Sequence, residues 1–444
     1  MLSISVLGLG LMSSCRKYVE VESYTTRALK YTSDYQYLLN NQNNFSSTYL
    51  LPLVSNDDVD MKTNTAINTW GDDLKKAYTW SSSFYTESQQ DAGYNNLYKQ
   101  IYISNEIIAG VMDSQKGTEE TKRLLMAEAK IHRAYAYLML ANQYAPVYNP
   151  ESASNQEGLP LLLTPDLFQD VKRASLKQVY DQIIDDVVSA LPNLPDQPSF
   201  NYHPAKGAAY ALLSRCYLYM RDFDKSGENA ELALGFNSQL MNLPDYVGKT
   251  TSIPRPLFDT ETILFKKQSG TVNARLSDEL IALYDSDDAR LKIYVGQDVT
   301  LQGYKYIRHN YSLQYIYVGL RVPELILNRA ESFARLGNTE KAIEWLNLLR
   351  KKRFSENTYK PLTTSDINGD PLKVVLQERR RELVGTGLRW FDQRRLTLDP
   401  GYLNTVTRTL GGVGYSLDPS SLRYVYPVPE KVLEFNPEIG QNPQ

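Results

Sequence analysis

The sequence predicts a mainly α-helical fold. Tetratricopeptide-like helix pairs form its scaffold, and a loop-rich, irregular half is held against them to meet a ligand. Three observations carry that prediction. Arg321 to Arg353 reads as two amphipathic helices around a Gly337-Asn338 turn, and Ala205 to Leu234 repeats the design. Two further stretches, about 55–90 and 237–314, set aromatic residues on weakly periodic backbone, and long irregular segments inside a compact chain are commonly functional.

In the first hairpin Leu325, Ala330, Phe333 and Leu336 recur at three- and four-residue intervals, as do Ala342, Ile343, Leu346 and Leu349 beyond the turn. Gly337 supplies a left-handed cap for the first helix and Asn338 an N-cap for the second. Helices joined so tightly lie antiparallel and share an apolar seam. In the second hairpin Tyr210, Leu213, Ser214 and Tyr217 take the fixed positions of the leading helix, and Phe223, Ser226, Ala230 and Ala233 those of the following one.

Composition narrows function before any motif does. The 444 residues carry a net charge of -3 with three His, which leaves no basic excess for a nucleic-acid backbone. Tyr is over-used, 33 against 12 Phe. A ring with a polar tip suits wet surfaces that stack on sugars or meet a protein, although many of these rings are expected simply to line helix seams.

From the N-terminus, Leu2 to Met12 has the length of a signal-peptide core and is too short to span a bilayer. Met12-Ser13-Ser14-Cys15 then resembles a lipobox, so residues 1–14 are expected to be a lipoprotein signal peptide and Cys15 the acylated residue. Cys216 is left without a disulfide partner and reads as a small core residue. A short helix begins near Ser33 or Asp34. Ser55 to Asp60 alternates oxygen ligands, but Met61 and Ile67 stand where an EF-hand needs Gly and Glu, so the stretch reads as a solvated acidic loop. Asn64 to Tyr85 gathers Trp70, Tyr78, Trp80, Phe84 and Tyr85, either as a stacking platform or as an aromatic mini-core.

Helices are expected from Asp91 to Asp113, Glu119 to Tyr144 and Leu176 to Leu191, with Ala127, Ala134 and Ala141 spaced for close approach. His132 reads as a packing residue. Pro371 to Leu383 forms a further helix, with Gln377 to Glu382 as its exposed face. Glu378, Glu382 and Asp392 are interleaved with the arginines up to Arg395 and predict an internal salt-bridge lattice. The tail beyond Tyr424 reads as an extended segment across the body.

Catalytic signatures are missing. There is no Walker loop, no GxSxG, and no His pair at metal-ligand spacing, and two cysteines make no zinc-thiolate site. Adjacent acids such as Asp57-Asp58 carry no glycosidase signal by themselves. No catalytic residue, metal or cofactor is expected.

Six stretches, in order along the chain, together resemble the SusD/RagB family of nutrient-uptake lipoproteins of Bacteroidetes. They are the Cys15 lipobox with CRKYVEVES, AKIHRAYAYLMLANQYAPVY from Ala129, GLPLLLTPD from Gly158, RVPELILNRAESFARLGN from Arg321, ERRRELVGTGLRWFDQRR from Glu378, and YPVPEKVLEFNPEIGQNP from Tyr426. The resemblance implies a SusD-like helical domain over 15–444, with helix pairs about 91–144, 205–234 and 321–353. It also implies an outer-membrane, lipid-anchored, surface-exposed protein that caps a SusC-like TonB-dependent transporter. Family members bind glycans or, in the RagB-like branch, peptides, and are not enzymes.

Family ligand residues vary too much to be carried over, so the candidate site rests on the residues themselves. Trp70, with Asn68 and Asp72 beside it, and Tyr304 and Tyr306 from the irregular region combine stacking faces with oxygens and an amide for hydroxyl groups. Capture of a glycan for the transporter is the leading reading, a peptide ligand on the same scaffold the second, and a lipid-anchored hydrolase the third.

Overall fold

The structure, a computed structural model, describes residues 29–308 and 316–444; Cys15 and the 1–14 stretch lie outside them. Helices account for about 49% of the chain and strands are few and short, which is the mainly-α fold expected.

Helices α1 (Thr32–Asn40), α2 (Gln42–Phe45) and α3 (Pro52–Ser55) lead to two more short ones, α4 (Asn64–Ile67) and α5 (Asp72–Tyr78). The Asp91 side chain accepts from the Tyr94 N–H and opens α6 (Ala92–Gly110), as Thr118 opens α7 (Glu119–Tyr144). From Ile131 to Tyr144 every residue of α7 is buried, so this stretch is the axis of the molecule, enclosed on all sides. A Ser175–Gln178 capping box begins α8 (Leu176–Ala190), and α9 (Lys206–Met220) and α10 (Phe223–Phe236) form the next pair. Helices α11 (Asp278–Ala282) and α12 (Arg290–Ile293) belong to the middle region. The second pair is α13 (Val322–Arg335) with α14 (Thr339–Arg350), followed by α15 (Pro371–Glu382), α16 (Leu388–Leu396) and α17 (Glu430–Phe435).

Helices α6, α7, α8, α9, α10, α13 and α14 pack each against the next, and α15 lies on both α13 and α14. The two hairpins are therefore neighbours in space through α10 and α13. At that contact a Cβ on Gly227 would lie 2.7 Å from the Ser332 Cβ, so the position is held at hydrogen size. Gly337 has φ +75 and Asn338 caps α14 through the Lys341 N–H, as the turn requires.

The strands form four antiparallel ladders among the described residues: β1 (Glu157–Pro160) with β2 (Arg173–Ser175), β3 (Thr262–Leu264) with β6 (Leu320–Arg321), β4 (Val295–Asp298) with β5 (Gly303–Tyr306), and β7 (Val406–Leu410) with β8 (Val413–Leu417). Gly411 and Gly412 close the last hairpin with φ +60 and +81, the positive pair that a two-residue turn of matching twist needs.

Several expectations change. Leu336 does not join the seam; it ends α13 and is 57% exposed. Glu378 to Glu382 is not an exposed face but is buried throughout, because each charge finds a partner inside. The tail is interrupted by α17 before the Asn442 amide donates to the Tyr144 and Tyr426 carbonyls. The 237–314 region, read as irregular, contains β3, β4, β5, α11 and α12, and it owns a small core built on Leu243, Leu280, Tyr284, Ile293 and Tyr294. Cys216 is buried and burial pushes its thiol up, as suits a core residue.

Candidate ligand-binding cleft

The five residues chosen from the sequence divide into supports and surface. Trp70 is only 6% exposed; its indole N–H donates to the Asn273 carbonyl at 3.2 Å, and its ring meets Tyr78 edge-on at 5.7 Å. Tyr78, Trp80, Phe84 and Tyr85 are equally buried, so the 64–85 aromatics form the mini-core and Trp70 has almost no ring surface in solvent to stack on a sugar. The physical reason is the short α4–α5 pair, which folds this segment onto the body. Asn68, on the turn between those helices, and Asp72, the first residue of α5, remain exposed. Tyr304 is half-buried on β5, where its hydroxyl accepts from Gln297 at 3.3 Å.

Tyr306 is half-buried with its ring laid against Gly385, in the turn joining α15 to α16. Gly385 has φ +72, and a Cβ there would collide with the Tyr306 ring. Gly385→Ala is therefore expected to cost about 2–3 kcal/mol in denaturant unfolding, and wild-type stability in that variant would refute the contact.

What joins these residues is the segment 272–276. Trp70 holds Asn273 at one end, while at the other the Leu276 N–H donates to the Tyr304 carbonyl at 2.7 Å. Between them the Arg275 carbonyl accepts from the Asp60 N–H at 3.1 Å, and the Arg275 side chain reaches the Asp60 carbonyl at 3.2 Å and pairs with Asp278. Asp60 and Asp278 are also rim residues of a polar cleft of about 500 Å³.

The floor of this cleft is the Asn56-Asp57-Asp58 turn set against α15 and α16. Asn56 ties the turn to the end of α3, donating to the Pro52 carbonyl at 2.7 Å and accepting from the Asp58 N–H at 2.9 Å. Asp57 then receives a two-pronged pair from Arg389, both contacts at 2.7 Å, and Asp58 pairs with Arg380 at 2.9 Å. Arg380 also holds Glu279 at 2.6 Å, and Lys62 pairs with Asp60. The 55–60 stretch is thus no solvated acidic loop; the Asp57 and Asp58 carboxylates are locked to arginines more than three hundred positions away in the chain.

Burial opposes ionisation of Asp57, but Arg389 and Arg380 outweigh it and hold its carboxyl well below the usual range. Burial, with the Asp57 charge added, wins over Arg380 at Asp58 and pushes it up to about 6.

Arg408, on β7, closes the far wall. Its guanidinium pairs with no carboxylate among the described residues; it donates to the carbonyls of Val54, Val59 and Ser55 at 2.9, 3.1 and 3.4 Å, and to those of Asn56 and Tyr78. It also lies over the rings of Tyr78 and Trp80, 4.1 and 4.3 Å from their centroids. The rim above it is Tyr402, Asn404, Thr405 and Thr407. Sequence reasoning marked the Asp57-Asp58 pair and the arginines of α15 and α16 without linking them, and nothing in the sequence marked Arg408.

Such an arrangement is a fixed array of donors and acceptors around an open, polar concavity, suited to hydroxyl-rich ligands. Among the described residues no group of three or more His, Cys, Asp or Glu is placed to hold a metal ion, and no helix is long and apolar enough to cross a membrane.

A scaffold of stacked helix pairs carrying a polar cleft on inserted loops defines the class as a helical-repeat binding protein. Two family models match the chain: a SusD-like model described as starch-binding and associating with the outer membrane, over residues 17–218, and the SusD_RagB model, over residues 284–444. The chain belongs to the SusD/RagB family. SusD-like protein P2 of Formosa agariphila is 23% identical, over 69% of this chain and 72% of that protein. A SusD superfamily protein of Bacteroides thetaiotaomicron has the same fold at TM-score 0.75 and 22% identity, covering 93% of this chain and 100% of that one. A laminarin-binding SusD-like protein matches at TM-score 0.66 and 18% identity, covering 93% of this chain and 99% of that one.

Proposed function

We propose that this protein is a non-catalytic glycan-binding lipoprotein, anchored through Cys15 at the outer membrane, which passes oligosaccharides to a TonB-dependent transporter. The observation that carries the reading is the cleft itself, a polar concavity of about 500 Å³ built where the segments matched by the two family models meet. The laminarin-binding relative supports a sugar as ligand, and the cleft offers amide, hydroxyl and guanidinium groups at fixed positions. Asn68, Asp72 and Tyr304, whose polar groups reach the surface, serve as outer contacts, whereas Trp70 and Tyr306 act by holding the 272–276 segment and the β4–β5 hairpin in place.

A peptide ligand is the second reading, favoured by the density of charge in the cleft and by its one aromatic, Tyr402. Calorimetric titration with soluble oligosaccharides and with mixed tryptic peptides separates the two. Saturable heat with sugars alone, without release of reducing ends, is the expected result; binding of peptides alone, or turnover of any glycan, would remove the proposal.

A further inference from the structure

We infer that the cleft selects glycans bearing carboxylate groups, that is, uronate-containing oligosaccharides; this rests on the glycan-binding reading above. The inference comes from which charges around the cleft are already committed. Every acid there is paired with a cation of the protein: Asp57 with Arg389, Asp58 and Glu279 together with Arg380, Asp60 with Lys62, and Asp278 with Arg275. Asp57 and Asp58 are nearly buried behind their arginines, and Asp278 and Glu279, at the outer rim, keep exposed side chains.

The cations are not used up in the same way. Arg389 spends Nε and Nη2 on Asp57, and its Nη1 has no acceptor among the described residues. Arg380 spends Nε on Asp58 and Nη1 on Glu279; its Nη2 stays 2.9 Å from Asp58, makes no hydrogen bond and is shut off from solvent. Both guanidiniums are at least nine-tenths buried and stand on either side of the same Asp57-Asp58 turn. At the rim, exposed Lys373 has no acidic partner among the described residues. Arg408 adds a positive charge that has no ion-paired carboxylate among the described residues.

Cations therefore exceed acids around the cleft by one, and the N–H groups left free on a rigid, pre-oriented guanidinium are those of Arg389 Nη1. A neutral sugar can engage those N–H groups through hydroxyls, but it leaves the excess charge uncompensated. A carboxylate offsets it, and a planar carboxylate matches the edge of a guanidinium better than any hydroxyl does. Around that contact Gln377, Asn404, Thr405 and Thr407 supply neutral hydrogen-bonding partners for the ring hydroxyls, and Tyr402 the one aromatic face.

The test is titration calorimetry of the full-length protein with three probes of matched length: oligogalacturonate, a sulfated galactan oligosaccharide and laminari-oligosaccharide. The expected order places oligogalacturonate at least about tenfold tighter than either other probe, with its affinity falling as NaCl rises. In Lys373→Glu the oligogalacturonate affinity should drop about tenfold and its salt dependence flatten. Glu is well tolerated in the first turn of a helix, so this variant should fold as the parent does. Equal or tighter binding of laminari-oligosaccharide, or of the sulfated probe, overturns the carboxylate preference and leaves the glycan-binding reading standing. Binding of no glycan at all overturns both, and an unchanged oligogalacturonate affinity in Lys373→Glu overturns the assignment to this cleft.

Discussion

Glu331→Ala should lower the unfolding free energy by about 3–5 kcal/mol, the usual cost of removing one partner from a buried ion network. Glu331 projects from α13 and is fully buried. Arg395 of α16 pairs with it at 2.8 Å through Nη2 and more closely through Nη1, Arg335 pairs at 2.8 Å, and Arg379 of α15 lies 3.9 Å away. Removing the carboxylate leaves three guanidiniums sharing Asp392 and Asp399.

The same network fixes the response to acid. Burial disfavours the Glu331 carboxylate, but Arg395 and Arg335 outweigh it and hold its pKa far below the ordinary 4.5. Glu382, between Arg353 and Arg290, is similarly held at about 2. A depressed carboxyl contributes stability that is complete above its unfolded value and is lost as pH falls through the folded one. Stability should therefore decline steadily below about pH 4.5, and less steeply in Glu331→Ala. Urea unfolding of both proteins between pH 3 and 7 reads this directly. Parallel pH curves would show that the network does not carry the acid sensitivity.

Arg408→Leu is the second large effect, also about 3–5 kcal/mol, and it should abolish ligand binding as well. The guanidinium caps the carbonyl ends of α3 and α5 at once, through Val54, Ser55 and Tyr78; its removal takes a donor from five buried carbonyls, of which Ser55 keeps the Trp80 indole N–H and Asn56 the Val59 N–H. It also ties β7, whose Val406 and Thr407 form part of the cleft rim, to the aromatic mini-core. Arg408→Lys should recover little, since an ammonium cannot span acceptors spread over two helix ends and a turn. Near-ultraviolet circular dichroism should report altered surroundings of Tyr78 and Trp80. A variant within about 1 kcal/mol of the parent would contradict the capping role.

Much of this architecture is local and therefore legible. The Gly337-Asn338 turn, the Asp91 and Thr118 caps and the spacing of small residues in α9, α10 and α13 each act within one or two helical turns, where period and capping decide the outcome. Leu336 escaped because it falls on the last residue before the turn, where the seam has already ended. The cleft was less legible for a different reason. Asp57 and Arg389 are both conspicuous, yet only the folded chain brings them to 2.7 Å across 332 positions. Trp70 illustrates the same limit from the other side. An aromatic in a short, weakly periodic segment is equally compatible with stacking on a ligand or filling a core, and the choice depends on where α4 and α5 dock. Arg408 had no local signal at all, because its acceptors are backbone carbonyls, which every sequence has.

The central claim, a binding cleft between the Asp57-Asp58 turn and the β7–β8 hairpin, is tested most directly by a crystal structure of the protein with a bound oligosaccharide. The account predicts an intact sugar chain within the cleft, between Arg389 and Asn404, with the Asp57–Arg389 pair unbroken beneath it. A sugar seated elsewhere on the molecule, or one found cleaved, would contradict it.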